Sequence, residues 1–141
     1  MANEQGLPVD ETRLAALARH TLASEEIDSD AELSVLFVTS DHIRRLNARF
    51  AGDDYATDVL AFPMMEEEEE SLLLGDVVVC PEVALASARR LGHPLDDELA
   101  TLVVHGTLHL LGYDHQGRED ANRMQERVRE VIRSFNLSAT R

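Results

Sequence analysis

Apolar residues recur every three or four positions along several parts of the chain, and this spacing predicts amphipathic helices. The clearest case covers residues 95–111, which contain no proline and a single glycine. Within this segment, Leu95, Leu99, Leu102, Val103 and Leu110 recur at helical intervals. The same spacing predicts four more helices, one that starts at Asp10 and three that cover about 40–50, 81–91 and 118–135.

Three runs of strand-forming residues predict β-strands at Glu32–Thr39, Thr57–Phe62 and Leu72–Val79. The consecutive glutamates 66–70 lie between the last two runs and are expected to form a solvated connection. Because helices and strands mix without strict βαβ alternation, we predict an α+β fold, a small mixed β-sheet packed with about five helices. With 141 residues and 44% hydrophobic composition, the chain is expected to form one domain over residues 1–141.

Three histidines lie close to the C-terminal end of the 95–111 helix in the sequence. His105 and His109 are four residues apart, so they lie on the same helical face with Cβ atoms roughly 6 Å apart. Gly112 stands where a helix often ends in a left-handed residue, and the turn can bring His115 back towards the same point. Three converging imidazoles predict a Zn²⁺ site with a fourth position open for water. Bound zinc would lower the pKa of that water to about 7.

The residue after His105 separates this pattern from a metalloprotease motif. The metzincin motif H-E-x-x-H-x-x-G-x-x-H has the same histidine spacing, and its glutamate is the general base. Gly106 replaces that glutamate here, which argues against peptide hydrolysis. Because glycine inside a helix costs about 1 kcal/mol relative to alanine, Gly106 is expected either to leave room for a bulky substrate or to allow close helix packing.

The segment His105-Gly106-x-x-His109-Leu110-x-Gly112-Tyr113-Asp114-His115 resembles the signature of the YbeY family. Two upstream stretches resemble the same family, Leu46-Asn47 followed by Thr57–Pro63, and Leu74–Val78. The resemblance implies a central metal-bearing helix and a metal-dependent endoribonuclease that prefers single strands. The family usually opens with a strand before the first helix. Few residues precede Asp10, so that strand is expected to be short or missing.

The resemblance also implies a cellular role and partners. The expected role is ribosomal RNA maturation, at the 3′ end of the small-subunit RNA, together with ribosome quality control. The expected partners are ribosomal RNA and the small ribosomal subunit, with a ribosomal protein or an assembly GTPase as further candidates, and not DNA. The expected ligands of one Zn²⁺ are His105, His109 and His115, which would also be the catalytic centre.

The residues that complete the catalytic machinery are less defined by the sequence. Asp114 is a candidate general base or an orienting partner of a ligand imidazole, although an aspartate here can also simply stabilise the turn. Many family members carry an arginine, thought to act on the phosphate, where this chain has Ala51. Arg49, or alternatively Arg44 or Arg45, is the candidate to take over phosphate binding.

Charge and composition limit the possible functions. The net charge is −14, with 27 acidic and 13 basic residues, so long-range attraction cannot be the main source of RNA affinity. This acidity and Ala51 keep open one alternative, a ribosome-assembly factor with a mainly structural zinc. A second alternative is a zinc hydrolase of another substrate such as peptide. The single Cys80, the absence of a long apolar run and an N-terminus unlike a signal peptide predict a cytoplasmic protein without membrane association.

Overall fold

The computed structural model describes residues 1–28, 30–68, 71–113 and 117–139. Within these ranges the chain forms four strands and five helices, which confirms the predicted α+β class with a small mixed sheet. The elements are β1 (Ala2–Asn3), α1 (Glu11–Ser24), β2 (Ala31–Phe37), α2 (Ser40–Ala51), β3 (Val59–Glu68), β4 (Ser71–Val79), α3 (Pro81–Leu91), α4 (Leu95–Leu110) and α5 (Arg118–Ala139).

The four strands form one sheet in the order β1-β2-β4-β3. Strand β2 pairs in parallel with both β1 and β4, and β3 pairs with β4 in the antiparallel direction. The first strand is present but has only two residues, Ala2 and Asn3, which pair with Leu36 and Phe37. The first strand is therefore short rather than missing.

Alternating side chains of the sheet face two separate apolar clusters. On β4, Val77 and Val79 belong to a large core shared with α1, α4 and α5, and Val78 belongs to a smaller cluster with Ile43 of α2. Helices α1 and α4 therefore cover one face of the sheet, and α2 covers the other. This division decides which functional candidates can lie near each other.

Helix α4 occupies the centre of the larger core. It packs against α1, α3 and α5 and against strands β3 and β4. The sequence places this helix correctly because its apolar positions extend around most of the helix, as expected for a helix that is buried on several sides. Acidic Asp96, Asp97 and Glu98 lie in its first turn, where they stabilise the positive end of the helix dipole.

The helix starts differ in one case from those predicted. Asp10 is the N-cap of α1, as expected, and its carboxylate accepts a hydrogen bond from the Arg13 amide at 3.1 Å. Helix α2 is capped by the Thr39 hydroxyl, which accepts from the His42 amide at 3.2 Å. The sequence also offers Ser40 and Asp41 as caps of this helix, but both lie within it, because Thr39 is the residue with extended backbone angles.

The prediction of a solvated connection over the glutamates was wrong for residues 66–68. These residues belong to β3, where Glu66, Glu67 and Glu68 pair with Leu73, Leu72 and Ser71 of β4. Strand pairing uses backbone groups, so an antiparallel hairpin can continue through positions whose side chains are strongly polar. Residues 69 and 70 lie outside the described ranges.

The pairing register of β4 shifts between Leu73 and Gly75 with both neighbouring strands. Gly75 has φ +140°, and a Cβ there would lie 2.2 Å from the Phe62 carbonyl oxygen and 3.1 Å from Leu110. Only glycine fits, because both the backbone angle and the close approach exclude a side chain. This contact brings the sheet against the end of α4. No helix in the described part of the chain has the length and apolar composition needed to cross a membrane.

Candidate functional site

The candidate histidines form the accessible side of α4. Between Glu98 and Leu110, every residue is buried except Thr101, His105 and His109. These three residues are spaced by four, so they form a single stripe along the helix, and both imidazoles are half-buried. The predicted placement of His105 and His109 on one helical face is therefore confirmed.

Gly106 faces the opposite direction, towards the sheet. A Cβ at this position would lie 2.5 Å from Cγ1 and 3.2 Å from Cγ2 of Val77 on β4. Val77 is fully buried and β-branched, so it has little freedom to move away. Of the two explanations for Gly106, the structure supports close helix packing.

The end of α4 has the predicted glycine turn. Gly112 has φ +101°, its amide donates to the His109 carbonyl at 3.1 Å, and the Tyr113 amide donates to the Leu108 carbonyl at 3.1 Å. These paired bonds are a Schellman motif, which ends the helix and reverses the chain direction. The next two site candidates, Asp114 and His115, lie outside the described residues.

The described residues provide part of a metal site. Within residues 1–28, 30–68, 71–113 and 117–139, no three potential ligands are grouped closely enough to hold an ion. His105 and His109 supply two imidazoles at a spacing that suits one late first-row metal, and a third ligand has to come from elsewhere. The donor set in the described region therefore fits the expected zinc, with His115 still a prediction.

Comparison with known proteins identifies the family. The family model described as Endoribonuclease YbeY matches residues 1–136. Proteins named Endoribonuclease YbeY from Salinispora tropica and Thermobifida fusca are 43% and 42% identical to this chain. The alignments cover 100% and 98% of this chain and 98% and 94% of those relatives. The chain belongs to the YbeY family.

A solved structure supports the same assignment. The solution structure of TM1509 from Thermotoga maritima has a TM-score of 0.59 to this chain and 30% sequence identity. The match covers 97% of this chain and 91% of that protein. The α+β arrangement around α4 is therefore a YbeY-type fold.

The structure places the arginine candidates of this YbeY member on α2. Arg49 lies over the ring of Phe50, with its guanidinium carbon 5.2 Å from the ring centroid. Arg44 and Arg45 are exposed and both pair with Asp41, at 3.5 and 3.4 Å. Helix α2 covers the other face of the sheet from α4.

An ion-pair network that sequence reasoning missed supports the YbeY histidine segment. The Tyr113 hydroxyl donates to a Glu25 carboxylate oxygen at 2.9 Å, and the Arg127 guanidinium donates to the other oxygen. Arg127 also donates to the Ser24 carbonyl and to Glu130, each at 2.9 Å. Burial and the Glu25 hydrogen bond raise the pKa of Tyr113, so it stays a hydrogen-bond donor at neutral pH. No local sequence signal connects Glu25 to its partners, which lie 88 and 102 positions away.

Glu98 has a structural partner. Its carboxylate is buried and lies 2.6 Å from Nε2 of His93, in the turn before α4. The contact ties the α3–α4 connection to the first turn of α4.

Proposed function

We propose that this chain is a zinc-dependent endoribonuclease that acts on single-stranded regions of ribosomal RNA. The observation that carries the proposal is the pair of half-buried imidazoles, His105 and His109, on an otherwise buried helix of a YbeY-family fold. Relatives named Endoribonuclease YbeY at more than 40% identity support the same activity over the whole chain. The proposed setting is small-subunit RNA maturation and ribosome quality control in the cytoplasm.

The proposed ligands of one Zn²⁺ are His105, His109 and His115. When bound, the ion supplies Lewis-acid catalysis and hydroxide at neutral pH. The two described histidines are held in place because α4 is packed on several sides and Gly106 lets it approach β4 closely. Rigid positioning of this kind is what a metal ligand pair needs, since small displacements weaken coordination and reactivity.

The remaining roles follow from the chain's own groups. Asp114 is proposed as the proton acceptor or as a partner that orients a ligand imidazole. Arg49 is proposed as a phosphate contact in place of the arginine that the family has at Ala51. The absence of a glutamate at Gly106 speaks against peptide hydrolysis, because the protease mechanism needs a general base at that position.

The test compares two substrates and two protein variants. Zinc-loaded wild type and His109→Ala are incubated with a structured ribosomal RNA fragment and with an unstructured protein. We expect cleavage of the RNA alone, and a loss of about 100-fold or more in His109→Ala. RNA cleavage that survives in the variant would identify a contaminating nuclease and contradict the proposal.

The same experiment separates the assembly-factor alternative. The acidic composition and Ala51 are the observations that favour it. If the wild type cleaves neither substrate, and chelation causes global unfolding, the metal has a structural role and the endoribonuclease proposal fails. Binding to purified small ribosomal subunits, measured by co-sedimentation, would then be the remaining activity.

A further inference from the structure

Helices α4 and α5 enclose a groove that starts at the candidate metal site. Its volume is about 1110 Å³, and His105 and Thr101 form the wall contributed by α4. The opposite wall is α5, whose contribution includes both apolar and polar side chains. One ligand candidate of the proposed metal therefore faces an elongated open space.

The polar lining of this groove differs in charge from the rest of the protein. The described residues that line it include Arg129 and Arg133 and no aspartate or glutamate, although the chain has 27 acidic and 13 basic residues. Arg129 and Arg133 are one helical turn apart on α5, so their side chains project in the same direction. Gln125 and Asn136 add uncharged polar groups on either side of this pair.

These two arginines differ from Arg44, Arg45 and Arg123 in their surroundings. Neither forms an ion pair with any carboxylate in the described ranges, and both are exposed. By contrast, Arg44, Arg45 and Arg123 are each paired with a nearby aspartate. The groove therefore holds guanidinium groups that are available for an anionic ligand, and guanidinium binds phosphate in a bidentate geometry.

We propose that this groove binds the single-stranded RNA substrate, with Arg129 and Arg133 contacting consecutive phosphates on the approach to His105. The inference rests on the proposed endoribonuclease function and adds the path of the strand. Among the apolar side chains that line the groove, Ile132 is half-buried and Leu137 is exposed, so both can contact bases. This local basic patch explains how an acidic protein can bind RNA without long-range attraction.

Charge complementarity favours RNA over a peptide as the occupant. An apolar peptide helix would leave two guanidinium groups without an anionic partner beside its binding face, which is unfavourable when they are desolvated. An RNA strand satisfies both guanidinium groups and uses the apolar floor at the same time. The two occupants differ in salt dependence, because only phosphate contacts release counterions on binding.

The experiment measures binding of a labelled, 2′-O-methylated single-stranded RNA to the zinc-loaded protein by fluorescence anisotropy, from 50 mM to 400 mM salt. The test variant is Arg129→Gln/Arg133→Gln. The matched control is Arg89→Gln/Arg90→Gln, which changes the net charge equally at exposed positions on α3. A third variant, Arg129→Lys/Arg133→Lys, keeps the charge but not the bidentate geometry.

We expect the groove variant to bind on the order of tenfold more weakly at 0.1 M salt, with a slope of log affinity against log salt that is shallower by about 1.4. The lysine variant should keep the wild-type slope and lose only part of the affinity. Cleavage by the groove variant should show a raised KM with little change in kcat, because the arginines bind the strand away from the reacting atoms.

Two results would overturn the inference while leaving the proposed function intact. One is a wild type that cleaves RNA together with a groove variant of unchanged affinity and slope, which would leave the groove to a peptide or another ligand. The other is an equal loss of RNA affinity in the Arg89→Gln/Arg90→Gln control, which would mean that net charge alone causes the effect. A wild type that does not cleave RNA at all would instead contradict the proposed function.

Discussion

At the residue scale, Gly106 shows how a position between two functional side chains can serve packing. Its neighbours His105 and His109 face the accessible side of α4, and Gly106 faces Val77 of β4. Glycine at this position destabilises the helix by about 1 kcal/mol relative to alanine. In return, the helix axis comes closer to the sheet than any side chain at this position would allow.

The Gly106→Ala variant tests this reading. Overpacking against Val77 costs about 1–3 kcal/mol, and better helix propensity offsets about 1 kcal/mol, so we expect a net destabilisation of up to about 2 kcal/mol. Chemical denaturation measures the change, and turnover at a temperature well below the transition should stay within about twofold of wild type, a difference of only about 0.4 kcal/mol in the barrier.

Two controls accompany this variant. Gly6→Ala adds a methyl group where nothing lies within 4 Å, and should change the unfolding free energy by less than about 0.5 kcal/mol. In a Val77→Ala background, Gly106→Ala should cost less, because the blocking methyl groups are gone. Unchanged stability together with lost turnover would instead mean that Gly106 makes room for the substrate.

At the element scale, three segments converge on the end of α4. Glu25 follows α1, Tyr113 follows α4, and Arg127 lies on α5, and all three are joined through the Glu25 carboxylate. The side chains of Glu25 and Arg127 are only 15% and 28% exposed, so this pair is better shielded than the surface pairs of α2. The network therefore holds Tyr113, which directly follows α4, against α1 and α5.

The Arg127→Gln variant tests the network. It leaves the shielded Glu25 carboxylate without its cation, and we expect a loss of about 1–2 kcal/mol in unfolding free energy. Because the segment that follows Tyr113 is then less restrained, zinc affinity measured by competition with a chromophoric chelator should fall several-fold, within the range of about 10–100-fold for lost support of metal ligands.

The exposed Arg123→Gln variant is the matched control on the same helix. Arg123 is 71% exposed and pairs with Asp120 at 3.8 Å, so its removal should cost less than about 0.5 kcal/mol and leave zinc affinity unchanged. If Arg127→Gln lowers stability but not zinc affinity, the network supports the fold only and does not position the site.

At the scale of the whole molecule, the fold separates two surfaces of different character. Helices α1, α4 and α5 build one side of the sheet around the large core, and α2 with its paired arginines builds the other. The candidate ligands His105 and His109 share the first side with Arg129 and Arg133, which form no ion pair within the described ranges. Substrate binding and chemistry can therefore be concentrated there, although the protein as a whole is acidic.

Zinc removal tests whether the large core stays folded without the metal. Helix α4 packs against two strands of the sheet and three helices. We therefore expect chelated protein to keep its far-ultraviolet circular dichroism spectrum and a cooperative thermal transition. Free zinc at 100 times its Kd should add only about 2.7 kcal/mol to the stability. Cleavage should be lost on chelation and return when zinc is added.

The His109→Ala variant is the control for this measurement. It lacks one proposed ligand, so its melting temperature should respond to zinc much less than that of the wild type. A chelated wild type that unfolds, or a variant that gains as much stability from zinc, would contradict a catalytic metal held by His109.

The sequence by itself determined the features that depend on near neighbours along the chain. The i, i+4 spacing set His105 and His109 on one face, Gly112 specified the helix end through its backbone freedom, and Pro81 marked the start of α3. Such features are readable because a helical turn or a cap involves only residues within a few positions of each other. The family resemblance rested on the same local motifs.

Only the tertiary structure decided how distant segments meet. It showed that Gly106 contacts Val77 and that Glu25 joins Tyr113 to Arg127. It also showed that the arginines lining the groove beside His105 come from α5 rather than α2. These contacts join residues far apart in the chain. They depend on which faces of the sheet and helices pack together, and no local period in the sequence encodes that choice.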